Sequence, residues 1–346
     1  MTEIYTLLRD NIRFLIPYST ARNEFSSEAS IFLDANENNY PYPYNRYPDP
    51  YQKKLKKVIA EWKNVQEAEI FIGNGSDEII DLVIRAFCNP GRDAVVALEP
   101  SYGMYAVSAA INDVAYRRFF LDRNFEFDTD GLIDFFKPTD KVLFICSPNN
   151  PTGNTFSREK MHRLVEAFPG IVLVDEAYID FSSTPSMLDY INSYPNLIVM
   201  QTLSKSMAAA GLRVGMAFMN TALIDIFNHI KPPYNISEIV INAAIERLSE
   251  IDALQKSIHE INAQRDEFSQ WFSQLKYVKK VFPSEANFVL VQVDKPLELY
   301  QFLIGKAIVV RDRSKQYNCE DCLRISIGTP SEMQNLRKAL ESFSNL

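Results

Sequence analysis

The sequence predicts an α/β protein, with a large domain built on a mostly parallel sheet covered by helices and a smaller α+β domain after it. Two observations carry this. Between about 70 and 220, short apolar runs rich in β-branched residues alternate with amphipathic helical patterns, the rhythm of strands buried on both faces. At KPPYN (231–235) that rhythm stops, a long helical stretch follows, and the remaining strands are shorter.

In chain order, the first 50 residues are rich in Asn, Pro and Tyr and end in NNYPYPYNRYPDP (38–50), an ordered arm or loop rather than a core element. Strands are expected at EIFIG (69–73), DAVVAL (93–98), VAYRRFFL (114–121), KVLFICS (141–147), GIVLVDE (170–176), NLIVMQT (196–202) and VGMAFM (214–219). Between them, DEIIDLVIRAF (77–87) sets Ile80, Val83, Ile84 and Phe87 on one helical face, and SREKMHRLVEAF (157–168) repeats the pattern. A helical stretch of roughly 237–276 precedes NFVLVQV (287–293), AIVVRD (307–312), CLRISIGT (322–329) and a closing helix. The chain thus divides into an arm over 1–40, packing with the small domain or a partner, a large domain over 41–235 and a small domain over 236–346.

Composition excludes several functions. A net charge of -8 and a pI near 5.1, with no long Lys/Arg run, argue against a nucleic-acid surface. The longest apolar runs are strand-sized, so no membrane span is expected. The opening MTEIYTLLRDNIRFLIPYST lacks a basic head followed by an apolar stretch, so no signal peptide is expected and the cytoplasm is the anticipated location. Cys88, Cys146, Cys319 and Cys322 are too few and too scattered for a disulfide framework. His162, His229 and His259 stand at no ligand spacing from the C-x-x-C at 319–322, which reads as two ordinary thiols rather than a metal site.

In a sheet of this kind ligands bind beyond the carboxyl ends of the strands. GNGSDE (73–78) leads from a strand into a helix whose first amides could converge on an anion, although Ser76 could simply cap that helix; it is neither a Rossmann nor a P-loop motif. PNNPTG (148–153) is a turn, with Asn150 placed to present an amide. Asp175 ends an apolar run, where a carboxylate needs a partner; that partner is a structural one or a ligand, and Tyr178 lies three positions on. Lys205 follows another apolar strand, where partial desolvation lowers an amine's proton affinity, and Arg213 could hold a phosphate. Tyr102, in PSYGMY (100–105), offers an aromatic face. Singly, each has an ordinary structural reading. Together they meet the needs of pyridoxal 5'-phosphate: an amine for its aldehyde, a carboxylate for its ring nitrogen, donors for its phenolic oxygen, a cup for its phosphate and a ring to stack on it.

With LDANEN (33–38), RYPDP (46–50), GNGSDE, SYGMY, SPNNPTG (147–153), VDEAY (174–178), TLSKSMAAAGLRVG (202–215), VVRD (309–312) and CLRISIGT, the chain resembles the fold-type-I pyridoxal-phosphate aminotransferases through nearly its whole length. LDANEN, the GLRVG form and LRISIGT are most similar to the subfamily acting on histidinol phosphate. The resemblance implies the fold-type-I transferase architecture and a ping-pong transfer of the amino group from histidinol phosphate to 2-oxoglutarate, in histidine biosynthesis. An aromatic amino-acid aminotransferase and a threonine-phosphate decarboxylase are the nearest alternatives. It implies that Lys205 forms the Schiff base with the cofactor and shuttles the proton, that Asp175 pairs with the ring nitrogen, and that Asn150 and Tyr178 reach the phenolic oxygen. Tyr102 would stack on the ring, and the backbone of Ser76 and Asp77, with Ser204 and Arg213, would hold the phosphate. Tyr47 would reach that phosphate from a partner subunit, making a homodimer with shared sites. Arg324 and Arg311 would bind the substrate's anionic group, and Tyr18, Asn36 and Tyr234 would line its pocket.

Overall fold

The computed structural model describes residues 2–16 and 31–344. Seven strands, β1 (Ile70–Asn74), β2 (Ala94–Glu99), β3 (Ala115–Phe120), β4 (Asp140–Cys146), β5 (Ile171–Asp175), β6 (Leu197–Thr202) and β7 (Val214–Met219), form one sheet in the order β1-β7-β6-β5-β4-β2-β3. The pairs β3–β2, β2–β4, β4–β5 and β5–β6 are parallel, and β7 runs antiparallel to both β6 and β1. The connection from β6 to β7 explains the reversal. A parallel return needs a crossover of a dozen or more residues, usually helical, whereas 203–213 make only a tight loop with one short 3-10 turn.

Period-two alternation packs both faces. Leu143, Ile145, Val172, Val174 and Val199 join one apolar layer with the helices Lys53–Lys63 and Arg158–Ala167, while Val142, Phe144, Leu173, Ile198 and Met200 join the other with Gly75–Phe87 and Thr221–Ile230. Each such fully buried side chain is worth roughly 1.5–3 kcal/mol relative to exposure, which fixes the register and so the residues at the strand ends.

A second, antiparallel sheet has the order β10-β11-β9-β8, from β8 (Val278–Val281), β9 (Phe288–Val293), β10 (Arg311–Asp312) and β11 (Cys322–Ser326). Val289, Val291 and Val293 pack on the helix Ile251–Phe272, while Phe288 and Leu290 belong to the large sheet's apolar layer. The second sheet therefore turns one face to its own core and the other to the first sheet.

Three expectations change. The stretch 237–276 is two helices, Glu238–Leu248 and Ile251–Phe272, broken where the Ser249 hydroxyl donates to the Glu246 carbonyl (2.6 Å) in competition with the backbone ladder. The strand expected over 307–312 is reduced to Arg311–Asp312, because Ala307 at φ 58° and its bond to the Ile304 carbonyl still belong to the end of the preceding helix. β8 was not expected: a register shift between Val278 and Lys280 leaves both lysines exposed and both valines partly buried, so the strand shows no period-two alternation. No helix among the described residues is long and apolar enough to cross a membrane.

Candidate active site

β1, β2, β4, β5 and β6 all end at the same edge of the large sheet, and β7 begins there because it runs the other way. Their terminal loops enclose a cavity of about 410 Å³. Ser76 and Asp77 reach it after β1, Tyr102 after β2, Asn150 after β4, Asp175 and Tyr178 at and after β5, Ser204 and Lys205 after β6, and Arg213 just before β7. The small sheet closes it with Arg311, Arg313 and Arg324.

The cup at the β1 end depends on two glycines. Gly75, at φ +74°, is so near Arg213 that a Cβ there would lie 2.4 Å from Nη2, and a Cβ on Gly215 would lie 2.5 Å from the Gly75 carbonyl carbon. The helix Gly75–Phe87 has no capping side chain, so its first-turn amides are left for a ligand. Ser76 is its second residue and not its cap. The Asp77 carboxylate accepts from the Tyr102 hydroxyl (3.1 Å) and pairs with Arg213 (3.3 Å), tying the aromatic wall to the cationic one. Gly215→Ala is expected to force β7 away from the helix start and to weaken retention of a phosphate-bearing cofactor at least tenfold, read as cofactor absorbance surviving dialysis. Full retention would mean that this contact does not shape the cup.

At the middle of the cavity Asp175 is fully buried. Burial pushes its carboxyl up from 3.8 to about 6, against the opposing pull of the Tyr105 hydroxyl (2.6 Å), the Ala177 amide (3.1 Å) and Lys205. No cation forms an ion pair with it among the described residues. Its neighbour Glu176 is held differently, by the Met187 amide (2.7 Å), the Ser186 hydroxyl (2.5 Å) and the Gln201 amide (2.9 Å), a structural role. Tyr105 was not legible as a site residue: it stacks on Phe144 (4.6 Å between centroids) as a core aromatic, and only the need of a buried hydroxyl for a partner hints at Asp175.

Lys205 stands on the open side, its Nζ 5.6 Å from the centroid of Tyr178. Desolvation lowers its pKa, as do the charges of Arg324 and Arg213, while Asp175 and Asp77 oppose them. The lysine makes no ion pair among the described residues, so its amine is neither fully solvated nor neutralised.

At the far end, Arg324 on β11 pairs with Leu290 of β9 on one side and with Arg311 of β10 on the other, which puts both guanidiniums on the face turned to the large sheet. Arg324 donates to the Asn150 side-chain oxygen (2.5 Å) and lies 5.2 Å from the Phe288 ring centroid. Arg313, absent from the sequence reading, lines the same end; the alternation R-D-R on a strand edge is the signal that could have found it.

Three expected residues, Tyr47, Tyr234 and Asn36, are not brought to this cavity. Tyr47 is half exposed and stacks on Tyr234 (4.5 Å between centroids), its backbone held by Glu37 (2.6 Å), and Asn36 lies exposed on the same arm. Tyr18 lies outside the described residues. Cys319 and Cys322 are buried free thiols pushed up to about 12 by burial, and no group of three or more His, Cys, Asp or Glu among the described residues could hold a metal.

The fold and this site define the class of protein. Residues 26–340 match the model of the aminotransferase class I and II family, and the chain belongs to that family. It is 48% identical to the histidinol-phosphate aminotransferase of Parabacteroides distasonis over 342 residues, 99% of each chain. The crystal structure of the histidinol-phosphate aminotransferase from Clostridium acetobutylicum superposes with a TM-score of 0.80 at 26% identity, covering 87% of this chain and 91% of that one. That of the Sinorhizobium meliloti histidinol-phosphate aminotransferase in complex with pyridoxal 5'-phosphate gives 0.79 over 90% of each chain at 23% identity, a likeness of fold.

The residues present suit pyridoxal 5'-phosphate. Among the described residues Asp175 is a buried acid and Lys205 an amine, neither of them in an ion pair, and the Gly75–Gly215 approach is a cradle that any Cβ would fill.

Proposed function

We propose that the protein transfers the amino group of L-histidinol phosphate to 2-oxoglutarate, giving imidazole acetol phosphate and L-glutamate, with pyridoxal 5'-phosphate as cofactor. The observation that carries this is the pairing of opposites in one cavity: a buried carboxylate at its centre and arginines with no carboxylate partner at its end. The near-identity in length and the 48% identity to a histidinol-phosphate aminotransferase support it.

When bound, the cofactor supplies an aldehyde and an electron-withdrawing ring that stabilises negative charge at the substrate Cα. The first-turn amides of Ser76 and Asp77, with Ser204 and Arg213, would hold its phosphate, and Tyr102 would lie against its ring. Asp175 would keep a proton on the ring nitrogen; Asn150 and Tyr178 would donate to the phenolic oxygen. Lys205, made less basic by burial and by Arg324 and Arg213, takes the proton from the substrate Cα. Arg324 and Arg311 bind the substrate's phosphate in one half-reaction and a carboxylate of glutamate in the other.

Tyr47 is exposed and away from this chain's cavity, which supports a homodimer in which it serves the partner's site. A division into an arm (1–40), a large domain (41–235) and a small domain (236–346) accords with the two sheets falling on either side of 235.

Offering histidinol phosphate, phenylalanine and threonine phosphate separately to the cofactor-loaded protein tests the substrate. Histidinol phosphate is expected to discharge the cofactor absorbance with the highest kcat/KM. Faster discharge by phenylalanine, or release of carbon dioxide from threonine phosphate, would overturn the assignment.

A further inference from the structure

We propose that Arg313 is a specificity-determining residue that, together with Arg311 and Arg324, makes the arginine end of the cavity select a phosphate dianion over a carboxylate. This rests on the functional reading above and adds a residue to it.

The backbone places Arg313. β10 pairs Arg311 with Arg324 and Asp312 with Leu323, and the Arg313 amide continues the ladder by donating to the Cys322 carbonyl (2.9 Å). On an extended strand, residues two apart project to one side, so Arg313 leaves on the side of Arg311 and Asp312 on the other. The Asp312 carboxylate accordingly turns back to its own loop, accepting from the Ser314 amide (2.8 Å), and is not available to neutralise the arginines.

The loop that follows is anchored on the large domain. Gln316 donates to the Ser101 carbonyl (3.3 Å), Asn318 to the Leu121 carbonyl (3.0 Å), and the Tyr317 ring lies 4.3 Å from that of Phe120. Arg313 therefore stands on a fixed support beside the segment that carries Tyr102, as a preorganised binding group requires.

Among the described residues, Arg313 has no counter-charge. Neither it nor Arg311 or Arg324 pairs with a carboxylate among the described residues, and the Nε atoms of Arg313 and Arg324 are buried without a hydrogen-bond partner. Burial and the charges of Arg324 and Arg311 bring Arg313 down to about 10. Three like charges converging without an acid cost free energy until an anion enters. Two guanidiniums are enough for the two oxygens and single charge of a carboxylate. A phosphate monoester brings three strong acceptor oxygens and nearly two charges, and a third guanidinium is what distinguishes it.

The test uses the cofactor-loaded enzyme and two amino donors, histidinol phosphate and glutamate, with Arg313→Gln and Arg313→Lys. Arg313→Gln is expected to raise the KM for histidinol phosphate roughly ten- to a hundredfold, the loss of one charged hydrogen-bonding group, with kcat within about threefold. The KM for glutamate should move by less than about threefold. Inhibition by inorganic phosphate should weaken in parallel, and Arg313→Lys, which keeps the charge, should recover part of both effects. Equal shifts for the two donors would reduce Arg313 to a structural residue, and no shift for either would remove it from the site. If the unaltered enzyme ignores histidinol phosphate, the functional reading fails. Arg313 is then judged by inorganic phosphate alone, as an inhibitor of the glutamate reaction, and equal inhibition of wild type and Arg313→Gln would end the proposal.

Discussion

Lys205→Ala is expected to lower turnover by at least about 10⁴-fold, the largest single loss in the protein, because one amine holds two roles, nucleophile toward the cofactor aldehyde and base at the substrate Cα. Among the described residues no other lysine lines the cavity. Two further lysines are depressed to about 8 by burial and so look reactive by proton affinity alone. Lys231, however, spends its ammonium on the Pro232 and Pro233 carbonyls (3.2 and 2.9 Å) and the Asn235 side chain (3.2 Å), and Lys56 packs in the helix Lys53–Lys63. Reactivity here needs both a lowered pKa and access, and of these three lysines only Lys205 has both. Borohydride treatment followed by peptide mass mapping checks it: wild type should carry the cofactor's mass on the peptide containing Lys205, and the variant should carry none while keeping its far-ultraviolet circular dichroism. Label fixed on Lys56 or Lys231, or activity above about one per cent in the variant, would refute the assignment.

The sequence made Lys205 legible for the same reason that it made Asn150, Asp175 and Tyr178 legible. Each follows a run of apolar residues that can only be a buried strand, and polar residues just past such runs lie at one edge of a parallel sheet. Arg213 was legible through the small residues ahead of it, which let 203–213 turn tightly enough to bring β7 back antiparallel. What stayed hidden depends on long-range contact. Tyr105 has the signature of a core residue, and it is one; only the fold shows its hydroxyl on Asp175. The side-chain role of Asp77, clasping Tyr102 and Arg213, joins residues far apart in the chain that no local pattern connects. Arg313 was masked by the reading of 307–312 as a full strand, which made VVRD look complete and drew attention from the arginine just beyond it. Tyr47 and Tyr234 stack on each other outside the cavity, a pairing of distant positions that no local pattern connects.

Asp175→Asn is expected to lower turnover roughly 10³-fold, as loss of a preorganised charge in a buried site does, and at the same time to stabilise the cofactor-free protein. The two effects have one cause. The carboxyl's folded value, about 6, lies above its ordinary 3.8, because burial penalises its charge by more than the Tyr105 hydroxyl, the Ala177 amide and Lys205 together offset. The penalty is therefore absent below pH about 4, grows as pH rises, and is complete above pH about 6. At about 1.4 kcal/mol per tenfold, it amounts to something on the order of 3 kcal/mol. Asparagine has nearly the same shape, its oxygen can still accept from the Ala177 amide, and the Tyr105 hydroxyl can turn to accept from its amide nitrogen, so no buried polar group need be stranded. Thermal unfolding of the cofactor-free proteins should show equal midpoints at pH 4 and a midpoint several degrees higher for the variant at pH 8. With cofactor bound the order should reverse, since a protonated ring nitrogen restores the partner that the carboxylate lacks. A variant that is no more stable at pH 8 without cofactor, or that turns over normally with it, would show that Asp175 is an ordinary buried acid. The opposite result makes the instability of the empty site the counterpart of its chemistry: the charge is costly where it stands because it is placed for a cation that the chain does not supply.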